Sequence, residues 1–172
     1  MNALDVLKAA QSKVGTVEGG GSDGKSGNIV WVWDWWKAAT KANLQGSPWC
    51  AGFVSWCFAQ ANLSALVAAE NSHGFVSTIN GLAWFKKKGQ LIDPKTAQPG
   101  DVVFFDFEGA GHPDHVELVE SNEKTFLTTI GGNTSGEGVK GSQKNGGGCY
   151  RRKRVLDKTI IGVARPAWPA SK

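Results

Sequence analysis

The sequence predicts an α+β fold, helices first and a mostly antiparallel β-sheet second, and three observations predict it. Apolar residues recur at helical spacing up to residue 88, short β-rich runs separated by turn residues take over after Pro99, and 23 glycines with 8 tryptophans in 172 residues argue against a helical bundle. Leu4 and Leu7, with Ala10 one turn on, give a first helix over residues 3–13 that Gly15 stops. A Gly- and Ser-rich loop over 18–28 follows, and the apolar run 29–36, which has no clear period, is assigned to helix. Ser47 as cap and Pro48 as first helical residue open a central helix over 48–61, in which Phe53, Val54, Cys57, Phe58 and Ala61 recur at helical spacing. Residues 78–88 form another helix, ending on Lys86, Lys87 and Lys88, which suit the negative end of its dipole. The turn Pro99-Gly100-Asp101 then leads into a buried strand over 102–107, and strands over 115–120, 126–130, 150–155 and 160–164 complete the sheet. Asn145-Gly146-Gly147-Gly148 reads as a flexible loop.

Composition narrows the function classes. With 41% hydrophobic and 20% charged residues, the chain is expected to fold as one domain over 1–172 with a full core. A net charge of +4 is modest, and the one dense basic run, Tyr150-Arg151-Arg152-Lys153-Arg154, reads as a solvated strand edge, so nucleic acid is not an expected partner. Three cysteines, Cys50, Cys57 and Cys149, leave at least one thiol free and rule out a disulfide scaffold. The N-terminus lacks a basic-then-apolar signal and no stretch approaches the roughly 20 apolar residues needed to span a bilayer. The expectation is a monomer made in the cytoplasm, without membrane insertion.

The chemistry centres on Cys50. It falls in the first turn of the central helix, where unpaired N–H groups and the positive end of the dipole favour a thiolate. A thiol nucleophile needs a base, and that base needs a group to fix its ring. Of three histidines, His73 and His112 lie in loops, whereas His115 opens a strand and is more readily held in register with a helix-borne thiol. Asn133, placed at a chain reversal after the following strand, supplies a side-chain carbonyl for the imidazole N–H. Glu117, two residues along the strand from His115, shares its face and is expected to neighbour the ring without orienting it. Trp49 and Glu117 are carried as substrate-binding candidates.

Four blocks carry a resemblance. Pro48-Trp49-Cys50-Ala51-Gly52-Phe53-Val54-Ser55-Trp56, Pro99-Gly100-Asp101-Val102-Val103-Phe104-Phe105, His115-Val116-Glu117-Leu118-Val119-Glu120 and Thr129-Ile130-Gly131-Gly132-Asn133-Thr134 resemble, in order and spacing, the CHAP family of cysteine, histidine-dependent amidohydrolases/peptidases. The resemblance spans residues 5–165. It implies a papain-like α+β fold and cleavage of peptidoglycan amide bonds, as in phage endolysins and bacterial wall hydrolases. Cys50 is then the nucleophile, His115 the base and Asn133 a polar orienting residue. One position departs: many relatives carry an acidic residue where this chain has Gly131, so an acidic contribution to orienting His115 is missing or comes from elsewhere, such as Glu117. Some relatives bind calcium before the cysteine. Here Glu18, Asp23, Asn28 and Asp34 offer oxygens, but their spacing is not that of an EF-hand loop, so no cofactor is required and Asp23 is the calcium candidate. No separate cell-wall-binding domain is expected, and a holin or other export route would bring the enzyme to the wall.

Other readings compete. Gly19-Gly20-Gly21-Ser22-Asp23-Gly24-Lys25-Ser26 matches a phosphate-binding loop, but Val14-Gly15-Thr16-Val17 is a weak preceding strand and Gly27 interrupts the helix that should follow. Cys50, Cys57, His112 and His115 offer zinc donors at a spacing unlike that of a compact zinc finger. A non-catalytic wall-binding module and an acyltransferase or transpeptidase with the same dyad complete the alternatives.

Overall fold

The central helix explains the architecture, because all of it but its last two residues is buried. In the computed structural model, which describes residues 1–19, 27–136 and 141–170, every residue from Cys50 to Phe58 is buried. A helix apolar all round must be covered all round. Helix α3 (Cys50–Gln60) is covered by α1 (Ala3–Gln11), α2 (Trp31–Thr40), the short 3₁₀ turn Ser64–Val67 and one face of the sheet. Helix α4 (Thr78–Lys87) packs farther along the sheet.

Among the described residues the six strands of the sheet are β1 (Leu91–Ile92), β2 (Val102–Phe105), β3 (His115–Asn122), β4 (Phe126–Thr134), β5 (Gly148–Val155) and β6 (Ile160–Ala164), in the order β1-β6-β2-β3-β4-β5 with every neighbour antiparallel. Strand β2 is buried on both faces: Val102 and Phe104 join the helical core, Val103 and Phe105 a smaller core with Val119, Leu127, Ile160 and Val163. This is why Val102-Val103-Phe104-Phe105 is continuously apolar rather than alternating. The papain-like α+β arrangement predicted from sequence is present: N-terminal helices packed on an antiparallel sheet.

Element boundaries differ where capping or bulges decide them. Ser47 does not cap the central helix. The cap position is Trp49, without a side-chain bond, so Cys50 is the first helical residue rather than the third. Ser47 is committed elsewhere, its N–H to Leu44 and its carbonyl to the Trp33 indole at 2.9 Å. Strand β4 runs on to Thr134, so Asn133 lies within a strand and not at a chain reversal. It sits at a β-bulge, where residues 132 and 133 face a single residue of β5 between the pairs Gly131↔Tyr150 and Thr134↔Gly148. Asn133 takes the left-handed conformation there, with φ 60°. The basic run does form an edge strand, β5, but Arg154 turns inward and is buried, whereas Arg151 and Lys153 are exposed.

Candidate active site

The start of α3 and Asp114, the residue before β3, line a pocket of about 380 Å³. Cys50 lines this pocket with Trp33, Pro48, Thr78, Ile79 and Asp114, and is itself only 4% exposed. Two anchors fix its position. The Trp33 indole holds the backbone before the helix at Ser47, and the Ser55 hydroxyl donates to the Phe75 carbonyl at 2.7 Å while accepting from the Phe75 N–H at 2.9 Å. The second anchor ties α3 to the chain that continues into the pocket wall at Val76, Ser77 and Thr78. The first intrahelical bond runs from the Phe53 N–H to the Trp49 carbonyl at 2.8 Å, and no side chain caps the first turn. Those N–H groups therefore suit an incoming oxyanion.

His115 is fully buried and interacts with Cys50 on one side and Glu117 on the other. Its Nε2 lies 3.0 Å from Glu117 Oε1, while Nδ1 makes no well-formed hydrogen bond and is the ring nitrogen left for the Cys50 sulfur. Burial alone would lower the proton affinity of this ring. The neighbouring Cys50 and the hydrogen-bonded, negatively charged Glu117 outweigh that and raise it from 6.5 to about 9.

Glu117 is equally buried and is the hub of a wider network. Arg154 Nε donates to Oε2 at 2.9 Å, Arg154 Nη2 donates to Oε1, and the Thr129 hydroxyl donates to Oε2 at 2.5 Å. Burial would push the carboxyl up. The Arg154 charge and hydrogen bonds, followed by those of His115, hold it far below the usual carboxylate range. Arg154 is held in turn by Gln143 Oε1 at 2.8 Å and Thr134 Oγ1 at 3.2 Å, with its guanidinium over the rings of Phe105 and Phe107.

This geometry decides between the two expectations for Glu117, in favour of the acidic contribution absent at Gly131, and corrects the substrate-binding one. It does orient the ring, and at 0% exposure it offers no surface to a substrate. Room for it comes from Gly131: a Cβ on that residue would stand 2.5 Å from Glu117 Cγ and 2.7 Å from Oε1. Gly131, where a side chain would clash, and Glu117, which fills that space, are thus sterically linked. Asn133, by contrast, lies in its bulge with Oδ1 buried and without a hydrogen bond among the described residues. Its Nδ2 donates to the Lys144 carbonyl at 3.1 Å, and no hydrogen bond joins it to His115 among the described residues.

Trp49 is a core residue, not a groove wall. It is 0% exposed, its indole N–H donates to Glu18 Oε2 at 2.8 Å, and its ring packs edge-on against Trp31 and Phe53. Of the calcium candidates, Asp23 lies outside the described residues, Glu18 is taken by Trp49, and Asp34 accepts from Gln45 at 2.9 Å. No group of three or more potential metal ligands occurs among the described residues, so neither a calcium nor a zinc site is supported there. His112 is exposed, and Cys57 is buried. The phosphate-loop match lies, apart from Gly19, outside the described residues. No helix among the described residues is long and apolar enough to cross a membrane.

Sequence reasoning missed Arg154 as a member of this site. The available signal was an inward position in an alternating β-strand, opposite a carboxylate that a glycine had made room for.

No curated protein gives a match to this chain. The CHAP domain model matches residues 42–133, a segment that contains Cys50, His115 and Glu117. With that match covering more than half of its length, the chain belongs to the CHAP domain family, a family of amidase- and peptidase-like hydrolases of peptidoglycan.

Proposed function

We propose that this protein is an endolysin-like peptidoglycan hydrolase that cleaves an amide bond of the cell-wall peptide through a Cys50 acyl-enzyme. The observation that carries the reading is the buried sequence of contacts Cys50, His115, Glu117, Arg154, with its sulfur end at a pocket. Cys50 passes its proton to His115 and attacks the amide carbonyl, and the first-turn N–H groups of α3 receive the developing oxyanion. His115 then protonates the leaving amine. In the second half His115 takes a proton from water, whose oxygen attacks the thioester and releases the acid and the Cys50 thiol. Glu117 acts through His115 as a positioning residue, supplying the fixed acceptor first sought in Asn133. Bacteriolytic activity on exposed walls follows from this chemistry.

The test is turbidity loss of purified cell walls. Cys50→Ala should abolish it while leaving the far-UV circular dichroism and Tm close to wild type, because one buried sulfur is removed beside a pocket. Wild-type clearing by Cys50→Ala would overturn the nucleophile assignment. Mass spectrometry of the digest then identifies which amide bond is cut.

A further inference from the structure

The pocket beside Cys50 is apolar on most sides, with Trp33, Pro48, Val76 and Ile79 among its walls, and among the described residues Asp114 is its one ionisable lining residue apart from Cys50. The Asp114 carboxylate is held in place. Its Oδ2 accepts from the Glu108 N–H at 2.9 Å, its backbone N–H donates to the Phe105 carbonyl at 2.8 Å, and the preceding Pro113 carbonyl accepts from the Thr78 hydroxyl at 2.6 Å. The second oxygen, Oδ1, is buried without a hydrogen-bond donor. Lys144 reaches the same loop but is paired with Glu108. A carboxylate oxygen left without a donor in apolar surroundings is costly, and a cation supplied by a ligand is its natural complement. The chain as a whole carries a net positive charge of +4, so the preference of this cavity is set locally and not by the global field.

Resting on the peptidoglycan reading above, we propose that Asp114 is a specificity residue that binds a primary ammonium of the substrate, with aliphatic atoms next to the ammonium lying along the apolar walls. Asp114 and Cys50 line the same cavity, so an amine held at one brings its neighbouring amide to the other. Wall peptides carry such a group in two places, the α-ammonium of a free peptide N-terminus and the side-chain ammonium of a diamino acid. Both present the same chemistry to the carboxylate.

Binding separates the two and does not depend on turnover. Soluble stem peptides, with both amines free, with only the α-amine acetylated, or with only the side-chain amine acetylated, are titrated calorimetrically into full-length Cys50→Ala and into Cys50→Ala/Asp114→Asn. Asn keeps an acceptor for the Glu108 N–H while removing the charge. Acetylation of one of the two amines should weaken binding to Cys50→Ala by about tenfold or more, the scale of a lost charge-assisted contact, and the affected arm identifies the amine. The double variant should bind all three peptides alike, at the weakened level. Equal affinity of Cys50→Ala for all three peptides, or no binding of any of them, overturns the proposal, as does an acetylation penalty that persists undiminished in the double variant. The Cys50→Ala comparison among the peptides decides the matter even if the double variant does not fold. Wall clearing by the wild type is read separately: a protein that clears walls without amine discrimination loses only Asp114, and one that binds amines without clearing walls loses the hydrolase reading.

Discussion

Replacing Glu117 by Gln removes one charge from the centre of the site while keeping a carbonyl acceptor of nearly the same shape, so it isolates what the carboxylate does for His115. The rise of the imidazole from 6.5 to about 9 corresponds to roughly 3 kcal/mol of preference for the protonated ring, shared between Cys50 and Glu117. Its effect on folding has a definite sign. A histidine that holds its proton more tightly when folded stabilises the protein fully below pH 6.5, and that contribution is lost as pH rises through 9. Glu117 runs the other way: its carboxyl is held below its ordinary 4.5, so its contribution is present above pH 4.5 and is lost as pH falls toward the lower folded value. In Glu117→Gln the ring keeps its burial and its Cys50 neighbour but loses the carboxylate charge. The alkaline limb of the wall-clearing pH profile should therefore move down by at least about one pH unit, or about 1.4 kcal/mol. Arg154 is left buried with its charge uncompensated, which costs about 3 kcal/mol at the lower end of the range for a broken buried pair. For a chain of this size that is a Tm loss of roughly 6–12 °C. NMR titration of His115 and thermal unfolding measure the two effects independently. An unchanged alkaline limb together with an unchanged His115 titration would refute the argument that Glu117 holds the proton on the ring.

Gly131→Ala places a methyl group 2.5 Å from Glu117 Cγ, and Glu117 is pinned by His115, Arg154 and Thr129, so overpacking should cost about 1–3 kcal/mol and lower kcat more than it raises KM. The paired exchange Glu117→Gly with Gly131→Glu returns a carboxylate from the opposite strand and should recover part of the activity that either change alone removes; a double variant no better than the singles sinks the idea that the two positions are reciprocal. Burial drives the Cys57 thiol well above its ordinary range and the Cys149 thiol up to about 12, so both stay protonated at neutral pH. Iodoacetamide should add a single group to the native protein, on Cys50, as read by peptide mass mapping, and fast modification of Cys57 or Cys149 would contradict the burial seen here.

The parts of the site legible in the sequence are those set by local periodicity. Cys50 at a helix start and His115 at a strand start follow from a few neighbouring residues each, and their convergence follows from α3 packing against β3 and β4. The orienting group was harder because it is decided across strands. Glu117 reaches the ring only because β4 is bare at Gly131 and because Arg154, on β5 and 37 residues away, supplies the charge that keeps a carboxylate ionised in the interior. Asn133 was misplaced because a bulge leaves no mark in hydrophobic alternation. Trp49 beside Cys50 invites a groove reading, and its burial, its ring contacts with Trp31 and Phe53 and its bond to Glu18, 31 residues back, show it to be packing. The helix cap failed for a related reason: Ser47 is a good cap by residue type, but the turn at Leu44 and the indole of Trp33 claim its backbone first.

Gly132, next to Gly131, has a consequence for how the site keeps its dimensions. A Cβ there would stand 2.4 Å from the Trp49 ring and 2.8 Å from Phe53 Cβ, so β4 meets the start of α3 as bare backbone, just as it meets Glu117 as bare backbone one residue earlier. The dipeptide works as a spacer whose thickness is that of a peptide plane, with no rotamers to vary. The gap between the helix that carries the sulfur and the carboxylate behind the imidazole is gauged by the stiffest material a protein has, and any side chain added to either residue widens it.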